Sequence, residues 1–101
     1  MAKSRKNFRA NVRSLDRKTV VVTFAFNDEY DYWFAPLGYE GQVVTDIAEG
    51  DTLDELYEDV EKTIHANRSY KGSEISYSID RTKTSTEKQN EINTFFSLKS
   101  L

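Results

Sequence analysis

Carboxylates are the chemically distinctive side chains of this sequence. Between residues 19 and 61 the chain carries twelve Asp and Glu residues and neither Lys nor Arg, so this block has a formal charge of −12. The flanking blocks are basic, with +6 over residues 1–18 and +3 over residues 62–101. A charge distribution of this kind bears on partners and association rates rather than on the fold.

The densest carboxylates lie in one segment, GDTLDELYEDVEKTI at residues 50–64. Thr52 and Glu55 form a T-x-x-E capping box, which predicts that a helix begins here and runs to about Asn67. Its apolar residues follow helical spacing and predict one buried stripe, Leu53, Leu56, Tyr57, Val60 and Ile64. Like charges at i,i+4, such as Asp54 and Glu58, cost about 0.2–0.5 kcal/mol per pair. We interpret the opposite, acidic face as a docking surface for a basic partner; the alternative is a solvated face that aids solubility.

Aromatic residues beside the acids extend this prediction. Tyr and Trp are common anchors of protein interfaces, because they combine a large contact area with a polar group. The alternative is core packing, since strand alternation points Trp33 away from Tyr32 and Phe34. The predicted partner-binding residues are Asp51, Asp54, Glu55, Glu58, Asp59, Glu61, Trp33 and Tyr39.

Other chemistries find little support in the sequence. The absence of Cys excludes disulfides, thiolate zinc sites and cysteine nucleophiles. His65 is the one histidine, and no calcium-loop spacing accompanies the acids, so we predict no metal site and no cofactor. Nucleophile-elbow, P-loop and dinucleotide motifs are missing as well. We therefore predict a protein that is not an enzyme and has no catalytic residues.

Composition predicts a small globular protein. The 101 residues are 38% hydrophobic and 31% charged, which is typical of a folded domain rather than of disorder. No apolar run approaches the roughly 18 residues of a membrane span, and the basic N-terminal residues lack the apolar region of a secretory signal. We expect a soluble, cytoplasmic protein with one sheet-and-helix domain at 1–80 and a tail at 81–101.

The residue pattern predicts an α+β fold. Period-two alternation and β-branched runs predict strands at residues 7–14, 19–26, 30–35, 42–47 and 74–80. Residues 15–18 would connect the first two strands as a hairpin, 19–26 would be central, and Pro36 would end the third strand. The order β-β-β-β-α-β indicates a mainly antiparallel sheet of four to five strands with one amphipathic helix on a face. Thr86 and Gln89 form a second capping box, of the type T-x-x-Q, so the tail could also hold a short C-terminal helix.

Several of these segments resemble the small sheet-and-helix domain of HicB-type antitoxins. The likeness spans about Val20 to Ile79 and is carried by Pro36, Leu37, Gly38, Gly41, the VVT at 43–45 and residues 50–64. The resemblance implies a three-stranded sheet, a helix and a closing strand, as in a degenerate RNase H-like unit without catalytic carboxylates. It also implies a function, which is to bind and mask a small basic ribonuclease toxin.

Three hypotheses of function follow. The first is a non-catalytic acidic protein that masks a basic protein partner, as an antitoxin does or as a DNA-mimicking inhibitor from a phage or mobile element does. The second is a nucleic-acid-binding module that uses Arg5, Arg9 and Arg13 together with the RSYKGS loop at 68–73. The third is a structural subunit that pairs an exposed sheet edge with a copy of itself.

Overall fold

The computed structural model describes residues 19–101 of the chain. The elements in chain order are β1 (Thr19–Asn27), β2 (Tyr32–Tyr39), β3 (Asp46–Gly50), α1 (Leu53–Ala66), a 3-10 turn (Arg68–Tyr70), β4 (Glu74–Ile79) and α2 (Thr86–Lys99). The strand predicted at 7–14 and the hairpin connection predicted at 15–18 lie outside the described residues.

The four strands form one mixed sheet in the order β3-β2-β1-β4. β1 pairs antiparallel with β2, β2 pairs antiparallel with β3, and β4 runs parallel to β1. The α+β class and the central position of β1 are therefore confirmed. The mainly antiparallel sheet is confirmed in part, because the chain crosses over through α1 and returns beside β1 in the same direction.

The helices cover one face of this sheet, and strand alternation decides which side chains they bury. Val20, Val22 and Phe24 of β1 have no exposed surface. Leu37 of β2 and Ala48 of β3 join them in the same core. Successive side chains of a strand point to opposite faces, so one apolar row from each strand meets the helices while the other row faces away.

The prediction that Pro36 ends the third strand is wrong, because β2 continues through it to Tyr39. Pro36 lies opposite Ile47 of β3 in the antiparallel ladder. On the other side, the pairs between β1 and β2 stop at Val22–Leu37 and resume at Ala25–Phe34 in an unchanged register. Proline has no N–H to donate, so the sheet accepts a local gap in one ladder and keeps the strand intact.

The extended segment predicted at 42–47 forms a strand only in its last two residues. The chain first makes a turn in which the Gln42 N–H donates to the Tyr39 carbonyl over 3.1 Å. It reaches β2 again at Asp46, which pairs with Leu37, and β3 then runs on to Gly50. Residues 42–45 are consequently exposed loop, although their β-branched residues are typical of a strand.

Helix α1 begins at the predicted cap. The Thr52 hydroxyl accepts a hydrogen bond from the Glu55 N–H over 3.1 Å. In a reciprocal capping box the Glu55 carboxylate would accept from the N–H of Thr52, but here it accepts from the N–H of Asp51 over 3.0 Å. Leu56 and Val60 are fully buried, which confirms the orientation of the apolar stripe.

The C-terminal segment forms a helix of 14 residues that packs on the sheet. Its cap is Ser85 rather than Thr86, since the Ser85 hydroxyl accepts from the Lys88 N–H, and the Gln89 amide donates to the Thr84 carbonyl over 2.7 Å. Ile92 and Phe95 of α2 belong to the same core as the sheet and α1. Residues beyond 80 thus complete the hydrophobic core.

The backbones of the two layers approach each other closely at Gly50, where β3 meets the first turn of α1. A Cβ atom at Gly50 would lie 2.8 Å from the carbonyl carbon of Glu55 and 2.9 Å from the Cα of Leu56. We expect Gly50→Ala to lower the free energy of unfolding by about 1–3 kcal/mol, because the backbones must separate. Urea denaturation measures this loss.

Gly38→Ala is the matched control for this substitution. A Cβ atom at Gly38 would meet nothing closer than the Cα of Val44 at 3.4 Å, which is an ordinary contact. We expect its effect on stability to be clearly smaller. Equal losses for the two variants would contradict the assigned role of Gly50.

Tyr77 of β4 provides a pH-dependent readout of the core. Its ring packs edge-on against Phe24 with 6.1 Å between centroids. Burial, with smaller contributions from Tyr57 and Glu61, raises the pKa of Tyr77 to about 12 from its ordinary value of 10.0. The fold therefore favours the neutral phenol, and this contribution to stability is complete below pH 10 and lost as the pH rises through 12. We expect the tyrosinate absorbance of the wild type to show a phenol that titrates near pH 12 and is missing from Tyr77→Phe. If the two proteins differed only by a phenol of ordinary pKa, this assignment would be wrong.

Candidate functional site: an acidic groove beside helix α1

An open groove runs between β3, the start of α1 and the turn that precedes β2. Five of its lining residues are acidic, and we call this surface the acidic groove: Glu49, Asp51, Glu55, Glu58 and Asp59. Tyr30 and Tyr32 border it on the β2 side, and Lys62 is the basic residue of its lining. The groove therefore combines a strong negative field with an aromatic border.

Two elements position the carboxylates. Glu55, Glu58 and Asp59 are spaced i, i+3 and i+4 on α1, so they share one flank of the helix. Glu49 lies on β3 and Asp51 in the two-residue connection between β3 and α1. The short β3–α1 connection, which depends on Gly50, brings the strand acid and the helix acids to the same groove.

Two groove carboxylates also hold the backbone in place. The Asp59 carboxylate accepts a hydrogen bond from the Glu49 N–H over 2.9 Å, which ties α1 to the outer edge of β3. The Glu55 carboxylate accepts from the Asp51 N–H at the start of the helix. Such contacts orient the two side chains, and each retains a carboxylate oxygen that can meet a partner.

Neutralisation of the groove by the cations of residues 19–101 is slight. The Lys62 ammonium lies 4.0 Å from the Glu58 carboxylate, and the two side chains are 74% and 73% exposed. An exposed pair of this kind contributes about 0–1 kcal/mol and is screened by salt. The described cations thus leave most of the negative charge of the groove in place.

The helix separates the predicted acids into two groups. Asp51, Glu55, Glu58 and Asp59 are brought together in the groove. Asp54 faces α2 instead, where the Lys99 ammonium lies 3.7 Å from its carboxylate. Glu61 is also outside the groove lining and acts electrostatically on Tyr77 of β4.

Neither of the two predicted aromatic residues lies in the groove. Trp33 is only 5% exposed, packs edge-on against Phe26 at 4.6 Å between centroids, and is covered by the Lys88 ammonium. Tyr39, at the other end of β2, donates its phenol hydrogen to the Ser69 carbonyl and packs against Tyr70. We therefore exclude Trp33 and Tyr39 from the candidate surface.

Tyr30 and Tyr32 take their place beside the acids. Tyr30 is 71% exposed in the turn before β2. Tyr32 begins β2 and packs against Phe34, on the sheet face away from the helices. The sequence could have indicated that Tyr32 rather than Trp33 borders the acids. Trp33 shares its strand face with the apolar residues Ala35 and Leu37, whereas Tyr32 does not.

Asp46 serves the structure rather than the groove. Its carboxylate accepts hydrogen bonds from the Tyr70 hydroxyl over 2.8 Å and from the Thr45 hydroxyl over 3.2 Å. Burial is the main cause that raises the pKa of Tyr70, and its hydroxyl is engaged with Thr45 and Asp46. Since Tyr70 is 2% exposed, the basic loop at 68–73 offers charge but no exposed aromatic ring for base stacking.

The described residues contain neither a metal cluster nor a membrane-spanning helix. Within residues 19–101, no three or more His, Cys, Asp or Glu side chains converge as a metal site requires. No helix in this part of the chain is long and apolar enough to cross a membrane. Comparison of the chain with protein-family models, curated proteins and solved structures finds no match. The groove's function therefore has to be inferred from its own geometry and charge.

The hydrogen bond from Glu49 to Asp59 predicts that the groove acids differ in their effect on stability. We expect Asp59→Ala to lower the free energy of unfolding by about 1–2 kcal/mol, because the Glu49 N–H loses a charged acceptor. Asp59→Asn should recover part of this loss, since the amide oxygen also accepts. Urea denaturation measures both variants.

Glu58→Ala is the control from the same helix face. Among the described residues its carboxylate contacts only Lys62, at 4.0 Å in solvent, so we expect a change within about 0.5 kcal/mol. If Asp59→Ala were as mild as Glu58→Ala, the anchoring role of Asp59 would be wrong.

Proposed function

We propose that this protein is a non-catalytic binding protein that uses the acidic groove to hold and mask a basic protein partner. The observation that carries the proposal is the convergence of five carboxylates on one open groove, to whose lining residues 19–101 contribute a single lysine. A basic surface that enters this field would approach faster, because opposite potentials steer diffusional encounter.

Burial favours binding over catalysis as the role of these acids. General acid–base pairs depend on environments that separate the two carboxyl groups chemically, usually through burial of one of them. Glu49, Asp51, Glu55 and Glu58 are all exposed, and Asp59 is committed to the β3 backbone. The groove is suited to contact with a large cationic surface.

The strand and helix order is consistent with the hypothesis that the protein acts as a HicB-type antitoxin. Three consecutive strands pair antiparallel, a helix follows, and a closing strand returns beside the first, as the resemblance to HicB-type antitoxins implies. The Gly50–Asp51–Thr52 segment that carries much of the likeness forms the β3–α1 connection at the groove. A small basic ribonuclease toxin is accordingly the first candidate partner, and a basic nucleic-acid-processing enzyme the second.

Steric occlusion with electrostatic steering would be the mechanism. The acids attract the basic surface, while Tyr30 and Tyr32 supply apolar contact area at the border of the groove. A partner seated there would have its cationic residues covered and unavailable to nucleic acid. Binding should weaken with salt, since charges separated by more than about 8 Å are screened at physiological ionic strength.

A matched pair of double variants tests the groove. Glu55→Gln/Glu58→Gln removes two charges inside the groove and keeps the oxygen that caps the Asp51 N–H. Asp54→Asn/Glu61→Gln removes two charges from the same helix outside the groove. We expect the first variant to lower the association rate constant with the captured partner on the order of tenfold at low salt, and the second to lower it far less.

The measurement begins with affinity capture from the native cell by the wild-type chain and both double variants. The protein lost only with the groove variant is purified, and its association rates are then measured as salt is increased. Equal losses with the two double variants would indicate a general charge effect and contradict a role specific to the groove. Capture by all three chains without difference would contradict the proposal as well.

Gel shift assays examine the nucleic-acid alternative. The proposal predicts that the wild-type chain does not bind DNA or RNA tightly at physiological salt. Tight binding that survives Glu55→Gln/Glu58→Gln and disappears when Arg5, Arg9 and Arg13 are changed to Ala would favour the nucleic-acid-binding module instead.

A further inference from the structure

Strand β4 forms one edge of the described sheet and pairs with β1 alone. The Asp80 N–H donates to the Phe24 carbonyl of β1 over 2.9 Å, so Asp80 directs its backbone groups toward β1. Backbone groups alternate in direction along a strand. Ile75, Tyr77 and Ile79 therefore point their N–H and C=O groups outward, where residues 19–101 supply no strand to receive them.

The opposite edge of the described sheet is less suited to strand pairing. β3 has only five residues, and its outward-pointing Glu49 N–H is already bound by the Asp59 carboxylate. A short strand with an occupied donor is a poor template for another strand. Of the two edges, β4 is the one that can accept a further strand.

β4 also has few of the features that normally protect an edge. Its sequence, EISYSI, contains no Pro, Gly or Lys to block or twist away an incoming strand. Its apolar side chains, Ile75, Tyr77 and Ile79, pack against the core but remain partly exposed. A neighbouring strand with the same alternation would cover this row and complete the ladder at once.

We propose that β4 pairs antiparallel with β4 of a second copy of this chain, about a two-fold axis at Ser76. The two four-stranded sheets would then form one continuous sheet. This register sets Ile75 opposite Tyr77 of the second copy, an aromatic and β-branched pair of the kind that stabilises sheets. On the other face, Ser76 meets its own copy and Glu74 meets Ser78, so no like charges oppose each other within the strands.

Self-pairing is favoured over an unrelated strand because β4 is complementary to itself in this register. Shifting the axis by one residue, to Tyr77, would bring Glu74 opposite Asp80 of the second copy, which is a repulsive pair. The acidic groove lies beside β3 at the other edge, so pairing at β4 leaves both grooves of the dimer open. The dimer is thus independent of the proposed function and compatible with it.

Interface size sets the strength of this association. Pairing through one six-residue strand buries less than the roughly 1,200 Å² that stable interfaces usually bury. We therefore expect a dimer that dissociates on dilution, with sedimentation giving a mass that rises from 11.7 kDa toward twice that value as concentration increases.

Single cysteines test the register, because the native chain has none. Ser76 is exposed and faces away from the core, so Ser76→Cys should fold, and directly opposed residues in a non-hydrogen-bonded pair are close enough for a disulfide. We expect Ser76→Cys to form a covalent dimer under mild oxidation much faster than Ser97→Cys, an exposed control on α2. Equal rates for the two variants would overturn the proposal.

Charge exchange at Ser76 provides the second test and needs no crosslink. Ser76→Lys and Ser76→Glu each place like charges against each other across the axis, so each variant alone should be monomeric at concentrations where the wild type is a dimer. Mixing the two should restore a dimer, because Lys then faces Glu. A wild type that stays monomeric at all concentrations, or variants that dimerise alone as well as mixed, would overturn the proposal.

Discussion

The close approach of β3 to the first turn of α1 is the contact on which the rest of the structure depends. Gly50 permits it, because any side chain there would collide with the backbone at Glu55 and Leu56. Thr52 then caps the helix, and Leu56 and Val60 enter the core within the next two turns. The same junction brings the strand and helix carboxylates side by side, so the close approach at Gly50 determines both the packing of the core and the shape of the acidic groove.

Carboxylates have two roles in this molecule: some join structural elements through hydrogen bonds, and others present charge to solvent. Asp59 and Asp46 accept hydrogen bonds that join separate elements, and Asp80 accepts from the N–H groups of Thr82 and Lys83 in the turn before α2. Burial acts to raise the pKa of Asp80, but these hydrogen bonds outweigh it and lower the pKa below its ordinary value. Glu58 makes only a weak exposed contact, so its charge remains directed at solvent. The acidic groove therefore combines Asp59, which is fixed to the backbone, with Glu58, whose charge faces solvent.

The two edges of the sheet differ in a way that separates two modes of association. At β3 a helix carboxylate occupies an outward N–H, and the edge presents charge. At β4 the outward backbone groups belong to the partly buried residues Ile75, Tyr77 and Ile79, and the edge presents hydrogen-bonding capacity. Charge favours fast capture of a basic surface, whereas an open ladder favours a strand of matching pattern.

Local sequence patterns determined the elements: the alternation of β1, the cap and apolar stripe of α1 and the alternation of β4 are all readable without coordinates, because each depends on residues close in the chain. Their assembly was decided by tertiary contacts. Pro36 remains inside β2 because it pairs with Ile47 of β3 and because β1 pairs with β2 on either side of it. Residues 42–45 stay outside the sheet because the preceding turn delays their return to β2. The acids of the candidate site were identifiable from charge, but their division was not, since the sequence does not show that Asp54 lies near Lys99 of α2 or that Glu61 acts on Tyr77 of β4. Trp33 and Tyr39 lie outside the groove for a similar reason: whether an aromatic residue borders this surface or packs against other side chains depends on what lies across the sheet, which the sequence of one strand does not contain.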